Sequence, residues 1–148
     1  MRFHSKLLAI GVALGATAVV AAPVPKEIKR NNDKILILGK WKQEFMSLRG
    51  AEKQPETINT FQFDADGKCG ISYDNSPRQN DSEYSLDPTS SPGKMKWLNG
   101  TEKTEWRCLY EIENDTLKVC FIEHNVEVPS VLATGKNATI YYLKRVKE

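Results

Sequence analysis

The residues that could do chemistry are few and scattered. His124, flanked by Glu123 and Glu127, is the one histidine beyond the first 22 residues. Proton transfer at neutral pH usually falls to histidine, but no glycine-rich nucleophile turn accompanies it, so an exposed loop histidine is the expected role and no catalytic residue is assigned. Cys69, Cys108 and Cys120 are too dispersed to argue for a zinc site, which needs clustered His and Cys ligands. Asp64-Ala65-Asp66-Gly67 looks like the opening of a calcium loop, yet the later ligands and the closing glutamate are missing. No metal, cofactor or catalytic group is therefore expected. What the chain does offer is aromatic surface. Phe45, Phe61, Phe63, Tyr73, Trp106, Tyr110 and Tyr141 sit at alternating positions in short runs and are the candidate lining of a ligand cavity.

Those runs read as strands. In Gly39-Lys40-Trp41-Lys42-Gln43-Glu44-Phe45-Met46, Trp41, Gln43 and Phe45 fall on one side and the charges on the other. That period of two belongs to a half-buried strand, whose successive side chains point to opposite faces. Ahead of it, Ile35-Leu36-Ile37-Leu38 could plug a barrel end or begin this strand, and Ser47 to Glu56 reads as a polar loop. Phe61 and Phe63 match Ile71 and Cys69 across a three-residue loop, Ala65-Asp66-Gly67, with Gly67 at the left-handed position that such a loop demands.

Tyr84 and Leu86 mark a short strand, and Lys94 to Trp97 another, followed by an Asn99-Gly100 two-residue hairpin signal. Trp106, Cys108, Tyr110 and Ile112 pair with Leu117, Val119 and Phe121 if Asn114-Asp115 is a two-residue turn. That register sets Ile112 opposite Leu117 and Glu111 opposite Lys118, whereas a slip of one residue would bury Glu111 against Leu117. A longer segment with Pro129 and Gly135 is expected against the barrel mouth. The last strand, from about Ala138 to Val146, carries Tyr141, Leu143 and Arg145 on one face. Short strands at regular spacing with almost no helical periodicity predict an all-β domain, an up-and-down barrel or a sandwich, and Gly39-Lys40-Trp41 with the late Arg145 favours the eight-stranded antiparallel up-and-down barrel, over 35–148.

The same registers decide the thiols. Cys108 faces inward and Cys120 outward, so they cannot bridge without β-carbons meeting at about 4 Å. Cys69 and Cys108 both face inward and could pair only if their strands approach; free buried thiols are the default expectation.

The start of the chain is a targeting segment. Arg2 and Lys6 precede an uncharged run from Leu7 to Ala22, Val20-Ala21-Ala22 supplies small residues for cleavage, and Pro23-Val24-Pro25 follows. The run is shorter than the roughly 20 residues needed to span a bilayer, so 1–22 reads as a signal peptide, 23–34 as a linker or helical turn, and the destination as secreted or periplasmic. Of 21 Lys+Arg and 19 Asp+Glu, the signal holds two basic residues and no acidic one, leaving the rest of the chain neutral. No nucleic-acid surface or transmembrane span is expected.

Gly39-Lys40-Trp41, Leu86-Asp87-Pro88, Tyr110-Glu111-Ile112, the run from Asp115 to Phe121 and Leu143-Lys144-Arg145 together resemble a lipocalin-like (calycin) group, and more closely an uncharacterised family of small secreted planctomycete proteins. The resemblance implies that Trp41 closes the barrel base with Arg145 packed over its ring, as Gly-x-Trp and a late Arg do in lipocalins. Gly39, Trp41 and Arg145 are thus the expected closure set. A monomer that binds a small apolar ligand is the leading expectation. The alternative is an enzyme inhibitor or protein-interaction barrel acting through its N-terminal arm, Pro23 to Asp33, or its loops.

Overall fold

The structure is a computed structural model that describes residues 32–74, 76–132, 135 and 137–147. The expected signal peptide and most of the linker lie outside those residues. A short helix over 32–36 leads into nine strands: β1 (Gly39–Leu48), β2 (Ala51–Lys53), β3 (Asn59–Phe63), β4 (Lys68–Tyr73), β5 (Gln79–Asp87), β6 (Gly93–Leu98), β7 (Glu105–Glu113), β8 (Thr116–Ile122) and β9 (Ala138–Arg145). From β3 onward each strand pairs antiparallel with the next. β1 pairs with both β3 and β9, which closes an eight-stranded up-and-down barrel, and β2 hangs on the end of β1 as an extra strand. Closure removes the free edges that a meander of this length would otherwise expose.

Two hairpins form as the side-chain pattern requires. Phe63 pairs with Cys69 and Phe61 with Ile71, and Gly67 turns the loop at φ 82°. Ile112 pairs with Leu117, Tyr110 with Val119 and Cys108 with Phe121, while Glu111 reaches Lys118 at 3.4 Å on the outer side. The Asn99-Gly100 hairpin is longer than expected. Six residues, 99–104, separate β6 from β7, because the Asn99 Oδ1 accepts the amides of Thr101 and Glu102 and so caps a wider turn. Residues 51–53, expected within a loop, form β2 instead, since the exposed end of β1 leaves backbone groups that Ala51 to Lys53 can pair.

The inside of the lower barrel is filled. Trp41, Phe61, Phe63, Met95, Tyr110, Leu117, Val119 and Leu143 are all buried there. At the base, the Trp41 indole Nε1 donates to the Ile37 carbonyl at 2.7 Å, and Ile37, fully buried with Leu38 packed beside the core, is the plug, while Ile35 and Leu36 stay exposed. Arg145 lies over the indole with its guanidinium carbon 4.1 Å from the ring centroid. Its Nη1 donates to the Leu38 carbonyl at 2.8 Å and its Nη2 to that of Leu36. Gly39 sits beside it at φ 103°, and a β-carbon there would stand 3.7 Å from the Arg145 guanidinium. The three residues expected to close the base are therefore together.

A second apolar cluster lies on the outside wall. Leu109, Cys120, Ile122 and Ile140 are buried beneath Val126, Val128 and Leu132. The segment after β8 thus covers this wall instead of the barrel mouth. The reason is that β7, β8 and β9 turn apolar side chains outward there, and these need cover.

The face of Phe45 is also a correction. A bulge between Gln43 and Phe45 shifts the β1–β9 register, so Phe45 pairs with Tyr142 and stacks on its ring outside the barrel at 4.1 Å. Met46 pairs with Tyr141, an inward residue, in its place. An extra residue reverses every later side chain on a strand.

Candidate functional site

The seven aromatic residues expected to line a cavity are divided by height in the barrel. Phe61 and Phe63, at most 1% exposed, belong to the packed core, and so does the equally buried Tyr110, which also borders a small pocket of about 170 Å³ beside Asp33 and Pro92 at the plug end. Tyr110 serves as a tie, its hydroxyl donating to the Asp33 carboxylate at 3.0 Å and so anchoring the helix over 32–36 to β7. Burial, with the Asp33 charge adding to it, raises the phenol well above the ordinary tyrosine range. Phe45 is outside. Tyr73, Trp106 and Tyr141 come together around open space at the mouth opposite the plug.

That mouth is a cup of about 280 Å³ whose walls include Ile71, Tyr73, Trp97, Trp106, Phe121 and Tyr141. Its aromatic rings meet edge to face: Trp97 on Phe121 at 5.6 Å, Trp106 on Phe121 at 6.3 Å and Phe121 on Tyr141 at 5.6 Å. Edge-to-face contact is a favoured arrangement for aromatic pairs and holds these rings in place around the opening. No charged side chain lines this cup. His124 rests against the rim, its ring 4.9 Å from that of Trp106, where it packs as a side wall.

Tyr73 and Tyr141 also line an adjoining chamber of about 410 Å³, bounded by Gln43, Met46, Asn59 and the 53–57 segment. Here the sequence pattern gives no warning of the polar groups. Gln43 follows the inward position of Trp41 by two and is only 3% exposed, yet neither its Nε2 nor its Oε1 has a hydrogen-bond partner among the described residues. The buried Asn59 Oδ1 lacks one as well. A polar group buried in this way costs about 1–3 kcal/mol.

The three thiols are all free and buried, Cys69 and Cys108 in the inner cluster and Cys120 in the outer one, as the strand faces require. Burial pushes Cys69 up to about 12 and Cys120 up to about 11, and lifts Cys108 well above the ordinary thiol range. The unfolded chain releases these protons near 9.0, while the folded chain retains them. Stability from this source is whole below that pH and declines as the pH rises through the folded values. Urea denaturation at about pH 8 and about pH 10.5 should show the loss, near 1.4 kcal/mol per pH unit for each thiol held neutral. A flat profile would mean that water reaches the thiols.

Among the described residues no group of three or more His, Cys, Asp or Glu could hold a metal ion, and no helix is long and apolar enough to cross a membrane. The N-terminal arm before Asn32 lies outside the described residues. No family model, no curated protein and no solved structure matches the chain.

Proposed function

We propose that the chain is an exported, lipocalin-like binding barrel that holds a small, uncharged, ring-bearing ligand in the cup at its open end. The observation that carries this reading is the uncharged aromatic lining around Trp106, Phe121 and Tyr141, open to solvent above a filled core. A cup of about 280 Å³ is close to the lower limit of small-molecule sites, roughly 300 Å³. Compounds of one or two rings suit it. A long acyl chain does not, because Phe61, Phe63 and Trp97 occupy the space beneath that its tail would need. No step of bond making or breaking is assigned to the site.

Saturation-transfer NMR with neutral aromatic compounds, run beside palmitate, tests the proposal. Binding of the ring compounds is expected, with Trp106→Ala weakening it about tenfold, equivalent to roughly 1.4 kcal/mol. The melting temperature should change little, since Trp106 is only partly buried at the rim. Silence from every ring compound, or a preference for palmitate, overturns the reading.

A further inference from the structure

The chamber beside the aromatic cup contains polar atoms that the barrel itself leaves unsatisfied. β1 pairs with β3 through Trp41–Phe61 and Lys42–Thr60, and Gln43 and Asn59, the next residue on each strand, both line this chamber. Trp41 and Phe61 both point into the barrel, and a shift of two residues on each strand preserves the face. Gln43 and Asn59 are therefore neighbours on the inner wall, one layer above the closed core. Asn59 pairs in turn with Tyr73 on β4, and Tyr73 belongs to both chambers. The polar pair and the aromatic cup thus adjoin, with Tyr73 and Tyr141 bordering both.

Gln43 brings a donor, Nε2, and an acceptor, Oε1, into that space, and Asn59 brings a second acceptor, Oδ1. None of the three has a partner among the described residues. Native interiors rarely leave such groups orphaned without a role. The complement to this set is a guest edge with an acceptor and two donors, which is the edge of a primary carboxamide or a urea. A carboxylate offers no donor, and a ketone offers only an acceptor.

We propose that Gln43 and Asn59 are the polar recognition edge of this site, selecting a neutral ring compound that carries a carboxamide or urea group. The proposal rests on the aromatic cup as the seat for the ring. The amide edge binds against Gln43 and Asn59 while the ring lies against Tyr73 and Tyr141, the two residues that border both chambers.

The test is a titration of the full chain with benzamide, acetophenone and toluene, followed by ligand-observed NMR. Benzamide and acetophenone have nearly the same shape, but only benzamide has amide donors. Benzamide should bind about tenfold or more tighter than acetophenone, because the ketone leaves the Gln43 and Asn59 acceptors unpaired. Gln43→Met, nearly isosteric, should abolish that preference and leave toluene binding intact, and its melting temperature should rise because a buried orphan is gone. Asn59→Ala, at the end of β3, should reduce the same preference and provides a second folded variant. Equal affinity for benzamide and acetophenone in the unaltered chain overturns the proposal, as does a preference that survives Gln43→Met. If toluene binds while the amide preference is missing, only this inference falls. If none of the three binds, the cup reading falls with it.

Discussion

Trp41→Ala should lower the unfolding free energy by about 3–5 kcal/mol, the range for removing a large aromatic side chain from a core. Three contributions are lost together at this position. The indole is fully buried, so its removal leaves a hole that the plug cannot collapse to fill. Its Nε1–H holds the Ile37 carbonyl at 2.7 Å, so the plug loses a fixed contact. The Arg145 guanidinium loses the ring beneath it, an interaction worth about 0.5–2 kcal/mol. Against a typical domain stability of about 5–15 kcal/mol, this change takes about a fifth or more. Urea denaturation followed by circular dichroism measures it. Arg145→Lys separates the parts: it retains a charge but gives up the planar stack and the forked bonds to Leu36 and Leu38, and should cost about 1–3 kcal/mol. An unchanged midpoint for Trp41→Ala would mean that the base is held by something other than this pair.

Trp97→Ala has the second largest expected effect and links stability to the site. Trp97 is 5% exposed and touches Phe61, Phe63 and Phe121 edge to face at 6.1, 5.9 and 5.6 Å. It is the floor of the cup and the roof of the core at once. Its loss should cost about 3 kcal/mol, at the lower end of the range for a large aromatic, because the hole opens into the cup and can take up water. The deepened cup should then admit longer ring compounds than before. A double measurement checks both: a lower denaturation midpoint together with a shift in preference toward two-ring ligands. A full loss of 5 kcal/mol with no change in ligand preference would show a sealed cavity, not a deeper cup.

These expectations stand on features of unequal legibility. The hairpins could be read directly, because a period-two pattern with inward aromatics tolerates only one register once one face is buried. Phe61 against Ile71 and Ile112 against Leu117 are of that kind. Trp41 and Arg145 could be placed on one face of their own strands, but their meeting depends on β1 and β9 coming together across the length of the chain. Only closure of the barrel does that.

The site was less legible. Tyr73, Trp106 and Tyr141 alternate no differently from Phe61, Phe63 and Tyr110, because alternation reports which face a residue takes and not its height in the barrel. Phe45 was misjudged because a single bulge reverses the face without interrupting the pattern. Gln43, read as one more inward position of the first strand, was passed over as a binding residue. A lone polar residue between Trp41 and Phe45 is the one signal that could have identified it.

By itself, then, the sequence determined the all-β class, the hairpin registers and the inward and outward faces of the cysteines. These are local matters, decided by side-chain period and turn chemistry. The tertiary structure alone decided which aromatics fill and which line, that Phe45 faces out, that the segment after β8 covers the outer wall, and that Gln43 and Asn59 share a chamber in which the Gln43 amide and the Asn59 Oδ1 have no partner among the described residues. Each of those depends on strand tilt, bulge position and closure, which are properties of the whole barrel and are carried by no single run of residues.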